Sequence, residues 1–127
     1  MRWIAGLAVV LAGMIAFGLW GTYSVLDNGA RDLSREIDHL QTQVVEQNWS
    51  RAAQGVKKIE KLWNDRKNLW AILIDHQEIE NIEFSLSRIK QYVEGKSQDL
   101  ARGEIAVLKH TIEHIPEKEF VTLTNIL

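Results

Sequence analysis

The N-terminal segment from Trp3 to Trp20, WIAGLAVVLAGMIAFGLW, contains eighteen consecutive residues without a charged or polar side chain. As an α-helix rising about 1.5 Å per residue it covers roughly 27 Å, and its continuation to Leu26 exceeds a hydrocarbon thickness of about 30 Å. Trp3 at one end, and Trp20 with Tyr23 at the other, have the positions of interfacial aromatic anchors. The segment predicts a transmembrane helix, so we expect the rest of the chain to fold beside a lipid bilayer.

A cleaved secretory signal is the alternative interpretation of this segment. Ala16, Phe17 and Gly18 resemble a small-x-small cleavage site. The apolar run is longer than a signal core of about 7 to 15 residues, however, and cleavage would leave Leu19 and Trp20 as an apolar new end. We therefore interpret the segment as a retained anchor.

The charges that flank the anchor bear on its orientation. Arg2 lies on the short side and Arg31 with Arg35 on the long side, so the count of basic residues hardly discriminates. A two-residue head before a long tail is typical of an uncleaved signal-anchor. We expect a single-pass protein of the cell membrane whose C-terminal domain is extracytoplasmic.

Three alanines on one face of the anchor indicate where a second helix can approach. Ala8, Ala12 and Ala16 recur every four residues and form one smooth stripe. Small residues allow close packing of helices within membranes. The stripe predicts a membrane-protein partner or self-association.

Composition limits what the remaining residues can do. The Asn28-Gly29 pair predicts a break, which divides the chain into an anchor, residues 1–28, and a helical extramembrane domain, residues 29–127. Fifteen Lys and Arg against seventeen Asp and Glu disfavour nucleic-acid binding. The absence of cysteine excludes disulfides, thiolate metal sites and cysteine nucleophiles, and no cofactor is predicted.

Apolar residues recur at steps of three and four beyond the anchor, which predicts amphipathic helices. The sets within residues 30–74 differ by one position in register, so this stretch is either one long helix or two that meet near residues 48–50. Asp75 with Glu78 three residues later predicts the start of the next helix, and Gly95 predicts its end. The repeating positions are Ala30, Leu33, Ile37, Leu40, Val44, Trp49, Ala52, Val56, Ile59, Trp63, Trp70, Leu73, Ile79, Ile82, Leu86, Ile89, Val93, Ala101, Ile105, Leu108, Ile112 and Ile115.

The last helix is predicted to begin at Ser97 and to end at Pro116, because the residue before proline resists helical dihedral angles. Beyond it, Phe120, Leu123 and Ile126 are expected to form a short apolar lid. Short loops favour antiparallel neighbours. The predicted fold class is all-α, with one N-terminal transmembrane helix followed by a small antiparallel bundle of three to four helices.

Residues 110–114, HTIEH, match the His-x-x-Glu-His pattern of inverted zinc metallopeptidases. At about 100° per residue, His110 and His114 lie on the solvated face opposite the apolar stripe. A catalytic zinc also needs a third protein ligand and a partly enclosed cavity. The nearest downstream acids, Glu117 and Glu119, follow within a few residues and not on a separate helix, and no substrate cleft is apparent. We interpret His110 and His114 as exposed histidines near a helix C-terminus, and predict no catalytic residue.

A second group, His76, Glu80 and Glu83, lies along one flank of the third helix. One imidazole and two carboxylates can hold a divalent metal. Acidic residues at a helix N-terminus are also stabilised by the helix dipole, and this second explanation is the better motivated. The three residues remain minor candidates for a metal site.

Three tryptophans follow the apolar stripe of the second helical region. Trp49, Trp63 and Trp70 lie on the face that is predicted to be buried, so core packing or a partner surface is favoured over ligand stacking. We include them among the predicted interaction residues.

Residues 74–83, IDHQEIENIE, and 114–127, HIPEKEFVTLTNIL, follow one N-terminal span and a Trp-containing helix. In this combination the chain resembles the small bacterial membrane proteins of domain of unknown function 4363. The resemblance implies a single-span bacterial protein with a helical tail. It implies no established activity, cofactor or catalytic residue.

These observations favour a membrane-anchored helical protein-interaction module without enzymatic activity. The expected partners are the bilayer and a membrane protein or a second copy. The alternative is an extracytoplasmic helical bundle that senses a ligand or a metal.

Overall fold

The computed structural model describes residues 1–126, without the side chains of residues 119, 120, 122–124 and 126. The predicted lid of Phe120, Leu123 and Ile126 therefore lies outside the described side chains. Within the described residues every regular element is a helix, which confirms the all-α fold class. The helices are α1 (Arg2–Val45), α2 (Trp49–Leu73), α3 (His76–Glu94) and α4 (Gln98–Ile126).

The helices form an antiparallel bundle in which α1 and α3 each pack between α2 and α4. Ion pairs fix the register: Arg66 of α2 binds Asp32 of α1 at 2.6 Å, and Lys109 of α4 binds Asp38 of α1 at 2.6 Å. Residues 1–18, which include the start of α1, are exposed and extend beyond the bundle. We call the end of the bundle from which they extend the proximal end.

The core consists of the positions that the periodicity predicts. Of the repeating positions, only Trp49 and Leu73 are partly buried, and all the others are buried. Burial of each Leu, Ile or Val contributes about 1.5–3 kcal/mol to stability. Most of the stability of a helix in a protein comes from packing such an apolar face against its neighbours. The stripes therefore determine which helix faces meet. The core also includes Leu26 and Ile74.

The break predicted at Asn28-Gly29 is wrong, because α1 runs through this pair without interruption. Leu26 and Ala30 are both buried on either side of it, and Gly29 faces the ring of Trp70. Packing against α2 therefore holds the local backbone in the helix. The division into residues 1–28 and 29–127 stays a prediction, and a single helix crosses it.

Residues 30–74 form two helices, which resolves the alternative that the register left open. The turn lies at residues 46–48, where Gln47 has a φ of 55° and the Asn48 side chain accepts the Arg51 N–H at 3.3 Å. The Asp75 side chain likewise accepts the Gln77 N–H at 3.0 Å, as an N-cap should. The capping signal at Asp75 thus identifies the start of α3 correctly, whereas the turn at residues 46–48 is decided by the structure.

The end predicted at Pro116 is also wrong, since α4 continues to Ile126. Proline inside a helix removes one backbone hydrogen bond and costs about 3 kcal/mol. Ile115 and Pro116 are both buried, and two residues later Lys118 forms an ion pair with Glu78 of α3. Tertiary contacts on both sides of the proline offset its cost, so α4 reaches the level of the exposed part of α1.

Candidate interaction site at the proximal end

The exposed part of α1 has the properties that a membrane span requires. An 18-residue window has a mean hydropathy of 2.1, and none of it is buried inside the structure. Within the described residues, α1 is the one helix that is long and apolar enough to cross a membrane. Water is a poor solvent for so large an uncovered apolar surface.

One face of α1 continues from the bundle into this exposed part. Ala8, Ala12 and Ala16 are all exposed. At about 100° per residue, the centre of their stripe lies within about 40° of the centre of the face buried between Leu26 and Val44. The bundle covers this face from Leu26 onwards and leaves the alanine stripe uncovered.

A groove of about 750 Å³ lies where the bundle stops covering this face of α1. The lining is mainly apolar, and Trp20 and Val121 on its rim are 64% and 56% exposed. Ala16 belongs to the groove and to the alanine stripe, so the two form one surface. Among the described side chains, the groove is lined by Ala16, Leu19, Trp20 and Tyr23 of α1, and by Glu117 and Val121 of α4.

Only part of this groove is predictable from the sequence. Ala16 is in the predicted stripe, and Trp20 and Tyr23 are predicted as interfacial anchors. Glu117 and Val121 join the groove because α4 continues past Pro116. No local signal announces that continuation, since the proline is the strongest local sign of an end.

The residues of the HTIEH motif lie in two different environments. His110 and His114 are exposed, with ring centroids 4.1 Å apart. The Glu113 carboxylate instead accepts a hydrogen bond from the Ser34 hydroxyl at 2.7 Å, and it lies 3.9 Å from Lys109 Nζ. The glutamate therefore links α4 to α1.

The minor metal candidates are also separated by their partners. His76 Nε2 lies 3.2 Å from Glu80 Oε1. Glu83 accepts hydrogen bonds from Lys67 Nζ at 3.1 Å and from Trp63 Nε1 at 3.4 Å, and the bond from Lys67 lowers the pKa of Glu83. Among the described residues, no group of three or more His, Asp or Glu side chains is arranged to hold a metal ion.

The structure places two of the three predicted interaction tryptophans in the core, one of the two alternatives that the sequence left open. Trp63 and Trp70 are only 2% and 1% exposed, and their rings meet edge to face with centroids 5.7 Å apart. Both belong to the interior of the bundle, because the stripe that carries them is covered by the chain's own helices. Trp49 is partly buried against the same core.

A comparison with protein families relates this architecture to other chains. The model of the family described as Domain of unknown function (DUF4363) matches residues 20–126. The chain belongs to this family. No curated protein and no solved structure matches this DUF4363 chain.

The matched range of DUF4363 begins at Trp20, on the rim of the groove, and includes α1 from that residue onwards together with α2, α3 and α4. The family assignment therefore covers the bundle and most of the groove lining. The alanine stripe lies before the matched range, so its interpretation depends on the structure of this chain.

Proposed function

We propose that this DUF4363 protein is a single-span membrane protein whose helical bundle acts by binding rather than by catalysis. Its partner is a transmembrane helix, of another membrane protein or of a second copy. The partner helix packs along Ala8, Ala12 and Ala16 and enters the groove beside α4. The observation that carries the proposal is the continuous face of α1, which is buried in the bundle and uncovered at the alanine stripe.

The chemistry of the stripe supports this proposal. In lipid, apolar surface alone does not drive helices together, so close backbone approach through small residues becomes the main source of packing energy. Ala8, Ala12 and Ala16 allow that approach, and the groove at Ala16 extends the contact beyond the hydrocarbon core. A partner helix would thus contact both parts of the protein.

The hydrogen bonds made by the candidate catalytic and metal-binding carboxylates also support a binding role. Glu113 is held by Ser34, and Glu83 by Lys67 and Trp63. Each carboxylate joins two helices of the bundle, which is a structural task. The proposal accordingly assigns no catalytic residue.

The proposed orientation places the bundle outside the cytoplasm, with Arg2 on the cytoplasmic side. Arg31 is the basic residue nearest to the other end of the span, and it forms an ion pair with Asp27 at 3.0 Å. A pair of reporters fused after Leu127, one active only inside and one only outside the cytoplasm, tests this assignment. Activity of the cytoplasmic reporter alone would reverse it.

Disulfide cross-linking tests the partner surface, because the chain has no native cysteine. Ala12→Cys places one thiol on the stripe, and Val10→Cys places one on the opposite side of α1, about 160° away at 100° per residue. Both positions are exposed in the apolar segment. If a second copy is the partner, oxidation of the full chain in lipid bilayers should yield dimers through Ala12→Cys and few through Val10→Cys.

A photoreactive side chain at Ala12, used in native membranes, extends the test to other membrane proteins. The cross-linked partner is identified by mass spectrometry, with the same probe at Val10 as the matched control. Equal yields at Ala12 and Val10 in both experiments, or no product at either position, would contradict the proposed surface.

A ligand-sensing bundle remains the second candidate because the groove has a volume of about 750 Å³. Ligand pockets of roughly 300–1,000 Å³ are common in proteins. Native mass spectrometry of the full chain released from detergent distinguishes the two functions. A stoichiometric small molecule or metal would favour sensing, whereas a bound second chain would favour the interaction module.

A further inference from the structure

The C-terminal end of α2 is apolar on all sides. Residues 69–74, LWAILI, are six consecutive apolar residues. Trp70 and Ile74 point into the core, but Leu69 is 49% and Ile72 is 81% exposed. A helix in a water-soluble bundle normally carries polar residues on its outer face, so this turn departs from the amphipathic pattern of the rest of α2.

The connections between helices at the opposite end of the bundle are not apolar. The connection between α1 and α2 consists of Glu46, Gln47 and Asn48, and the connection between α3 and α4 has the sequence Gly95-Lys96-Ser97. Both are polar and suited to water. The apolar turn is therefore found at the proximal end, where α2 gives way to α3.

The register between α1 and α2 shows which residues of α1 lie beside the apolar last turn of α2. Trp70 lies against Gly29, and the antiparallel course of α2 brings residues beyond Trp70 level with residues of α1 before Gly29. Ile72 is thus close to the level of Leu26. Leu26 lies six positions after Trp20, the predicted interfacial anchor. This spacing corresponds to about 9 Å along the helix axis.

This distance is comparable with the thickness of the membrane interface. A bilayer measures about 40–45 Å with its headgroups and about 30 Å without them, which leaves roughly 5–8 Å on each side. An isoleucine side chain is long enough to cover the difference between the distance from Trp20 to Leu26 and the thickness of the interface. Because α1 is unbroken from Arg2 to Val45, the bundle has no hinge in α1 that would carry this turn away from the lipid.

We infer that Leu69 and Ile72 are a membrane contact that rests in the headgroup region of the bilayer spanned by α1. The inference rests on the proposed membrane span and adds that the bundle lies on the lipid surface. Val25 and Val121, which are 41% and 56% exposed, add apolar surface at the same end. The bundle is then held by two contacts, the span and the end of α2, which fixes its tilt relative to the membrane.

Site-specific fluorescence of the full chain tests this contact. Single cysteines replace Ile72, Val45 or Val10, and each carries an environment-sensitive nitrobenzoxadiazole label in phosphatidylcholine vesicles. Val45 is the matched control, because it is an apolar residue 48% exposed at the opposite end of the bundle. The vesicles are prepared with and without phosphatidylcholine that carries a nitroxide near its headgroup.

The label at Ile72→Cys should emit at shorter wavelength than the label at Val45→Cys and should lose intensity with the nitroxide lipid. If it matches Val45→Cys while the Val10→Cys label emits as in hydrocarbon, the span stands and the inference is overturned. A blue-shifted label at Ile72→Cys that the nitroxide does not quench would reveal protein cover instead, which also overturns it.

An aqueous spectrum of the Val10→Cys label would overturn the proposed span and the inference together. Leu69→Cys provides a second reporter on the same turn, should the Ile72→Cys variant lose its helical circular dichroism. The same shift and the same quenching are expected there.

Discussion

The backbone of Gly29 lies directly against the indole of Trp70. A methyl group at Gly29 would lie 3.0 Å from Cζ2 and 3.1 Å from Nε1 of that ring. The ring has little freedom to move, since Trp70 is 1% exposed and meets Trp63 edge to face. Gly29 thus allows α1 and α2 to approach at the level where α1 leaves the bundle.

Replacement of Gly29 by valine should destabilise the bundle by about 1–3 kcal/mol, because the added methyl groups overpack a filled site. Urea unfolding of the full chain in detergent, followed by circular dichroism, measures the change. Gly103→Ala is the matched control, since a methyl group there meets nothing within 4 Å. The control should gain about 0.5–1 kcal/mol from helix propensity. A Gly29→Val variant as stable as the natural chain would refute the close contact.

Truncation of the buried tryptophans should separate core residues from surface residues. Trp70→Ala and Trp63→Ala are each expected to cost about 3–5 kcal/mol in the free energy of unfolding, because each leaves a cavity. Trp49→Ala should cost less, since Trp49 is partly buried. The same unfolding measurement applies. Equal losses for all three variants would contradict the assignment of Trp63 and Trp70 to the core.

The core was predictable from sequence because its signal is repeated many times. Steps of three and four place one face of each helix inwards, and five or more positions in a helix agree on the same face. The start of α3 was predictable for a similar reason, since Asp75 satisfies an otherwise unpaired backbone N–H. Such signals lie within a few residues of the feature that they determine.

The two errors have a common physical cause. Asn28-Gly29 and Pro116 both carry strong local signals for a break, and in both places contacts between distant segments outweigh the local preference. At Gly29 the contact is with Trp70, and near Pro116 it is between Lys118 and Glu78. The groove depends on the second of these contacts, so its α4 side was not predictable from sequence.

Replacement of Pro116 by alanine should stabilise α4. The alanine N–H can donate to the carbonyl of Ile112, and the proline penalty of about 3 kcal/mol sets the upper limit of the gain. Part of that gain is lost with the apolar contacts of the buried proline ring. Amide hydrogen exchange of residues 112–120 in the full chain measures the effect as slower exchange. Faster exchange in the Pro116→Ala variant would show that the ring itself holds α4 in place.

Substitutions in the HTIEH motif should distinguish a structural glutamate from a metal site. Glu113→Ala removes the acceptor of the Ser34 hydroxyl, which is nearly buried, and we expect a loss of about 1 kcal/mol in stability. His110→Ala should stay within about 0.5 kcal/mol of the natural chain, because His110 is exposed. Elemental analysis of the purified full chain should detect no stoichiometric zinc. Zinc that is lost in His110→Ala would instead support the peptidase interpretation.

The dependence of stability on pH should show two limbs, each due to one ion pair. The hydrogen bond from Lys67 lowers the pKa of Glu83, and the charge of His76 acts in the same direction. Glu83 therefore stabilises the fold above its unfolded pKa of about 4.3, and this contribution is lost as the pH falls through the folded pKa. At the alkaline end, the hydrogen bond to Asp38 raises the pKa of Lys109.

Lys109 contributes stability that is fully present below its unfolded pKa of about 10.4 and is lost as the pH rises through its folded pKa. The side chains of Glu83 and Lys109 are 42% and 37% exposed, so each pair should contribute about 0.2–1 kcal/mol. Glu83→Gln should therefore reduce stability at pH 7 and converge with the natural chain in acid, whereas Lys109→Met should converge with it in alkali. Urea midpoints between pH 3 and 11, read by circular dichroism, test both limbs. Midpoint differences that do not change with pH would show that neither ion pair contributes through its charge.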